Sequence, residues 1–196
     1  MKRMGILPFV CAAALVVGCN SNNNKTAENR NEPAAVGTAG EADRTAVHDS
    51  EKDFITKQLA DGDAEVELGR MAAQKAVNPE VKRFAQMMVD DHTKALDDLK
   101  SSAGTHNITW PTTLDADHKK LSDRLSKLSG AAFDREYMQA MVDGHKKVAA
   151  DLRKESQSGT DADLKAWAGK TLPTVEAHLK QAEAVNRTVH SSTATH

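Results

Sequence analysis

An all-α fold, an antiparallel four-helix bundle with a short extra helix before the third long helix, is predicted by two observations. The first is composition. Of 196 residues, 28% are charged and only 4% aromatic, and Ala, Leu, Lys, Asp and Glu dominate. That mixture favours helices, and the scarcity of aromatic and β-branched residues disfavours sheets. The second is organisation: four long amphipathic stretches separated by cap and breaker residues, with one short stretch between the second and third.

The fold begins well inside the chain. MKR supplies a positive start and GILPFVCAAALVVG is apolar and small, the pattern of a secretory signal rather than of a membrane-spanning helix. It closes in VVGC, two aliphatic residues and a small residue before Cys, which resembles the lipobox of bacterial lipoproteins. That resemblance implies a signal peptide over 1–18, cleavage after Gly18 and a lipid on Cys19, and so a membrane partner through the anchor. Asn20, rather than Asp, follows; in an enteric bacterium this implies sorting to the outer membrane, facing the periplasm. Cys11 and Cys19 are the two cysteines. With one removed and one acylated, no thiol is left for a disulfide or a Cys-ligated metal. Loss of Lys2 and Arg3 leaves 24 basic against 28 acidic residues, a net charge of −4, with no polybasic field for nucleic acid. No protein partner is legible.

Residues 19–50 carry almost no large apolar residue, read as a disordered tether, and span some 30 Å on average. The bundle is predicted over 51–190, and 191–196 as a disordered tail. Asp49 or Ser50 can cap a first helix running to 77. Asn78-Pro79 stops it and starts the second, with Asn78 at the N-cap and Pro79 in the first turn. The second helix runs over 79–103 and ends at Gly104. THNITWPTT is a loop in which Pro111 forces extended backbone before it. The short helix spans 114–128. Ser129 can cap the third long helix, 131–156. QSGTDAD is a turn, and the last helix covers 162–189 with Pro173 inside it, where a missing backbone bond predicts a kink.

At about 100° per residue the inward face of each helix can be tested. On the second, Val81, Ala85, Met88, Leu96 and Leu99 lie within about 40° of His92. Asp90 and Asp91 point away from the centre of that stripe. On the third long helix, Asp134, Met138, Met141, Ala149 and Leu152 surround His145; on the last, Leu164, Trp167, Thr171, Thr174, Ala182 and Val185 surround His178, with Pro173 opposite. The first helix has no His, and Glu65 lies on the edge of its apolar stripe. Each long helix thus offers one inward polar group: Glu65, His92, His145 and His178.

Depth is less uniform. Glu65 lies 12 residues before Asn78 and His92 14 after it, within a turn of the same level. His145 lies about 12 residues before the QSGTDAD turn and His178 16 to 19 after its middle, a mismatch of roughly 6–9 Å that places Thr171 or Thr174 nearer the level of His145.

Three imidazoles and a carboxylate in a bundle core suit one divalent ion, Zn, Mn, Fe or Cu. The competing reading is that each His is satisfied locally, by Glu65, Asp134, Tyr137 or a Thr. A di-iron centre is disfavoured, because Val89, Val142 and Val175 stand three residues before the histidines where Glu-x-x-His needs carboxylates. Met88–His92 and Met141–His145 are Met-x-x-x-His pairs that suit copper, against the commoner use of Met as core filler. No phosphate loop, nucleophile elbow or paired-carboxylate arrangement is present, so no catalytic residue is assigned. His48, His106, His118, His190 and His196 are expected in solvent, and Trp110 and Tyr137 are expected to pack the bundle ends.

The segments around these residues resemble a family. FITKQLADGDAEVELGRMAAQKAVNPEVKRFAQMMVDDHTKAL, LSGAAFDREYMQAMVDGHKKV and LKAWAGKTLPTVEAHLKQA carry Glu-x-x-x-Gly, Asn-Pro-x-Val-x-x-Phe-Ala, Val-x-Asp-His, Phe-Asp-x-x-Tyr and Leu-Pro-x-x-x-x-His-Leu. Over about residues 50–188 this is similar to the bacterial outer-membrane protein family called domain of unknown function family 4142. The resemblance implies a ferritin-like bundle and an exported, often lipid-anchored protein, with no established reaction. Its polar motif positions fall on Glu65, Asp91, His92, Asp134, Tyr137, His145 and His178. Three functions follow: an envelope lipoprotein binding a metal or small ligand in its core, in envelope stress or metal handling; a structural or interaction lipoprotein without metal; and a mononuclear metalloenzyme.

Overall fold

The computed structural model describes residues 49–103, 108, 110 and 112–191, all of whose regular structure is helical. The expected signal peptide, Cys19, nearly all of the tether, His48, His106 and the last five residues lie outside the described residues. Five helices follow in order: α1 (Asp49–Lys75), α2 (Pro79–Ala103), α3 (Ala116–Ser126), α4 (Gly130–Ser158) and α5 (Ala162–Ser191).

Local chemistry sets the helix ends. Asn78 caps α2, its side chain accepting from Glu80 N at 2.8 Å. Asp115 caps α3 by accepting from the backbone of Asp117 (2.9 Å) and His118 (3.0 Å). Asp161 does the same for α5, from Asp163 N (2.9 Å) and Leu164 N (2.8 Å). Ser129 occupies the N-cap position of α4 without a side-chain cap bond; what turns the chain there is Gly130, at φ +58°. α1 stops short of the expected 77 because the backbone amides of Val77 and Asn78 are taken by the Asp134 carboxylate, at 3.1 and 2.8 Å. α3 is shorter than expected at both ends, its cap standing at Asp115. α4 runs on to Ser158, where the extended backbone of Gly159 (ψ 145°) ends it, and α5 continues two residues past 189. Pro173 lies on the exposed side of α5, which is one helix across it.

The path follows from these contacts. α1 packs on α2 and α4 on α5; α2–α5 and α1–α4 contacts close the square. The start of α4 touches the end of α1 through Asp134 and Val77. The α4–α5 turn meets the start of α1, where the Glu51 carboxylate accepts from Asp161 N at 2.7 Å and from the Thr160 hydroxyl. The long helices therefore run up, down, down, up, with every adjacent pair antiparallel. Two consecutive down helices need a return segment, and α3 supplies it. His118 faces Asp61, Ser122 bonds Glu67, and Lys75 donates to the Leu125 and Ser126 carbonyls, so α3 climbs alongside α1. One long crossover in a four-helix bundle is the ferritin-like arrangement.

Close approach of α1 and α2 depends on two glycines seven residues apart. A Cβ on Gly62 would stand 2.8 Å from Leu96 Cδ2, and one on Gly69 would stand 3.0 Å from the Ala85 carbonyl oxygen. The core has two apolar layers. One holds Phe84, Met88, Phe133, Tyr137 and Met138; the other holds Ile55, Leu59, Leu99, Leu152 and Trp167. Trp110 packs against the second layer from the loop, whereas Tyr137 is fully buried in the first, stacked on Phe133. The inward polar groups Glu65, His92, His145 and His178 belong to neither layer and are all buried. Among the described residues no helix is long and apolar enough to cross a membrane.

Candidate metal centre

The four inward groups come from one helix each: Glu65 from α1, His92 from α2, His145 from α4 and His178 from α5. They meet at one level. Ring centroids are 5.5 Å apart for His92–His145, 5.4 Å for His92–His178 and 5.6 Å for His145–His178. The depth mismatch expected for His178 is thus corrected. Because α4 runs to Ser158, the turn centres near residue 160, which leaves 15 residues to His145 and 18 to His178. Three residues are about 4–5 Å of rise, within the reach of two inward-leaning imidazoles.

Each ring has one nitrogen held from outside. The Nδ1 of His92 donates to Glu65 Oε2 at 2.8 Å. The Nδ1 of His145 donates to the Met141 carbonyl at 2.9 Å, with Glu65 Oε1 at 3.3 Å. The Nε2 of His178 donates to Asp91 Oδ2 at 2.8 Å. A carbonyl can only accept, and an ionised carboxylate can only accept, so these bonds assign the tautomers. In the neutral rings the opposite nitrogens carry lone pairs: Nε2 of His92, Nε2 of His145 and Nδ1 of His178. All three are buried and have no hydrogen-bond partner. One ring nitrogen from each of the three residues lies within 4.8 Å of the others. A tetrahedral ion at 2.0–2.1 Å needs nitrogens about 3.3 Å apart, so the rings would close by up to about 1.5 Å around it.

Electrostatics fit the same picture. Burial pushes the Glu65 carboxyl up, but the charges of His92 and His145 and the bond from His92 outweigh it and hold it at about 2. Burial pulls His92 down, and the Glu65 charge and hydrogen bond overcome this and raise it above its ordinary 6.5. His178 is lowered, first by burial and then by the neighbouring imidazoles, against the Asp91 bond. The Tyr137 phenol is pushed up by burial and by the Glu65 charge.

The other predicted site residues divide. Asp91, expected to point away from the stripe, is 45% exposed yet its carboxylate reaches His178. Glu65 stands behind the imidazoles, its two oxygens engaged by His92 and His145. Asp134 is not at the centre: it is buried at the α1–α2 turn, pairing two backbone amides there. Tyr137 and Met88 lie in the apolar layer of Phe84 and Phe133, and Met141 reaches the centre through its carbonyl. His118, expected in solvent, ties α3 to its surroundings instead, with Nδ1 2.7 Å from Asp115 and Nε2 3.6 Å from Asp61. His190 is exposed, as expected, and its Nδ1 bonds the Asn186 carbonyl at 2.8 Å.

Two features escaped the sequence reading. A groove of about 700 Å³ between α1, α3 and α4 reaches Glu65. It passes Gly144, where an added Cβ would meet only Glu65 Oε1, at 3.9 Å. Gln58 is buried with its amide nitrogen unpartnered. It precedes Glu65 by seven residues, so the angular test could have found it.

A family profile described as domain of unknown function (DUF4142) matches residues 36–185. The chain belongs to this family. The match covers the bundle up to residue 185 of α5 and all four inward groups. Neither the curated proteins nor the solved structures contain a match to the chain. As a DUF4142 member it has a fold and a buried histidine cluster, and its role must be argued from that cluster.

Proposed function

We propose that this DUF4142 protein binds one divalent transition-metal ion in its core, on Nε2 of His92, Nε2 of His145 and Nδ1 of His178. The observation that carries the reading is three buried imidazoles that bring ring nitrogens within 4.8 Å of one another, each ring keeping one nitrogen without a hydrogen-bond partner. A satisfied core histidine leaves no such atom, and each buried polar group left unpaired costs about 1–3 kcal/mol. Each ring's other nitrogen is fixed by a carboxylate or carbonyl, the arrangement that orients a metal-binding imidazole. Three neutral nitrogens with no thiolate suit Zn or Cu(II) best among the ions considered, with Fe next and Mn least.

The signal-like start and the VVGC stretch support a lipid anchor at Cys19 and a place in the cell envelope, with metal handling there as the role. Metabolic labelling with a fatty-acid analogue, lost in Cys19→Ser, tests the anchor. For the metal, the full chain purified without a His tag is assayed by elemental analysis and titration calorimetry. One ion per chain is expected, with His92→Ala and His145→Ala each losing it. No ion bound at micromolar concentration, in the parent protein, rejects the reading.

A further inference from the structure

The groove between α1, α3 and α4 brings together a second set of metal-ligand types. Asp61 of α1 and His118 of α3 both line it. Their side chains are 17% and 25% exposed, so an ion in the groove can reach them. The Nε2 of His118 stands 3.6 Å from Asp61 Oδ1, too far for a hydrogen bond. The other ring nitrogen, Nδ1, donates to Asp115 Oδ2 at 2.7 Å. In the neutral ring Nε2 therefore carries the lone pair, beside a carboxylate oxygen. Two acceptors stand together there with no proton between them, and a cation satisfies both. Lys57 does not fill that role. It lies 2.8 Å from the other oxygen of Asp61 and 2.8 Å from Asp151, so two carboxylates already balance its charge. The groove as a whole is lined by six carboxylates and three Lys or Arg side chains, which favours a cation.

We propose that His118 Nε2 and Asp61 Oδ1 form an outer site for a divalent transition-metal ion, backed by Asp115 and completed by water. An ion about 2.1 Å from each atom would see the two at roughly 120°, near tetrahedral, with shifts of only a few tenths of an ångström. Asp115 holds the ring as carboxylates hold metal-binding imidazoles generally. An imidazole ligand selects against Mg and Ca, which take oxygen. The groove, at about 700 Å³, has room for the waters that complete the coordination. Two protein ligands make this site weaker than the three-histidine core, so the purified protein carries the core ion alone. The outer site shares no ligand with the core and stands independently of it.

The test is calorimetric titration of Zn(II) into the full chain without a His tag. A weaker binding step is expected after the tight one. His118→Gln should lose the weaker step and keep the tight one. Asp115→Asn can still cap α3 but no longer offers the ring a carboxylate, and should weaken the outer step about tenfold or more. It carries the same test if His118→Gln does not fold. Ser122→Ala removes a different α3–α1 contact, the bond to Glu67, and should leave both steps unchanged. A parent without the weaker step overturns the inference. So does a weaker step that survives in His118→Gln, keeps its full strength in Asp115→Asn, or is lost in Ser122→Ala, which would trace it to the seating of α3. Loss of the tight step alone, with weaker binding that His118→Gln removes, overturns the core reading and sustains the outer site.

Discussion

Glu65 and His92 meet across the α1–α2 interface with 2.8 Å between carboxylate and ring nitrogen, and the other oxygen of the same carboxylate stands 3.3 Å from His145. One buried acid from the helix without histidines thereby orients two of the three rings. Glu65→Gln keeps the shape and removes the charge. Metal affinity should fall about 10–100-fold, as for lost partners of metal-binding histidines generally, with the stoichiometry unchanged. Titration calorimetry checks this, and an affinity equal to the parent's would remove Glu65 from the centre.

The same carboxylate makes the metal-free protein acid-sensitive. Its pKa falls from an ordinary 4.5 to about 2 on folding. A depressed acid stabilises the fold above pH 4.5, while the imidazoles that depress it stay charged, and stops doing so as pH falls through about 2. The shift corresponds to a contribution of about 3 kcal/mol at most. Melting temperatures of the metal-free parent and of Glu65→Gln should differ between pH 4.5 and 6.5 and converge toward pH 2. A gap that widens on acidification would contradict the assignment.

His92 runs the other way. Its raised pKa contributes stability below pH 6.5 that is lost as pH rises through the raised value. An ion must displace that proton, so metal binding near neutrality should release protons. Below the raised His92 value, apparent affinity should drop about tenfold per pH unit. Calorimetry in buffers of different ionisation enthalpy counts the protons; a count of zero at pH 6.5 would mean that His92 is not a ligand.

Asp91 and Asp134 share a family motif role in the sequence but not in space. Asp91 holds His178 from a half-exposed position, so Asp91→Asn should weaken metal binding by about tenfold or less. Asp134→Ala should leave metal binding alone and destabilise the fold by about 1–3 kcal/mol, because two amides at the α1–α2 turn lose their acceptor. Denaturant titrations beside metal titrations separate the two. Parallel losses of affinity in both variants would contradict the structure.

A Cβ added at Gly69 would stand 3.0 Å from both the Ala85 carbonyl oxygen and Val89 Cγ2. Gly69→Val places branched carbon against a carbonyl that cannot turn aside, and should cost about 1–3 kcal/mol. A melting temperature at or above the parent's would show that the two helices can separate without loss.

The helical class and the four inward groups were legible because a helix repeats every 3.6 residues. That period assigns a face to each side chain from its number alone, and it selected Glu65, His92, His145 and His178. It failed where identity depends on a neighbour. Asp134 shares the stripe of His145, and only its proximity to the amides of residues 77 and 78 decides that it serves the turn. Asp91 points off the stripe of His92, and only the nearness of α5 brings His178 to it. His118 looked like surface until the climb of α3 beside α1 set it against Asp61.

By itself, then, the sequence determined the fold class, the element order within a few residues and that Glu65, His92, His145 and His178 enter the core. All of these depend on local periodicity and capping, which act over one or two helical turns. The tertiary structure alone decided the level at which His178 meets His145, which ring nitrogens are left without a partner, and that Gln58 is buried with its amide nitrogen unpaired. Those depend on where α4 ends and how closely α1 approaches α2, and such distances are set by packing between residues far apart in the chain.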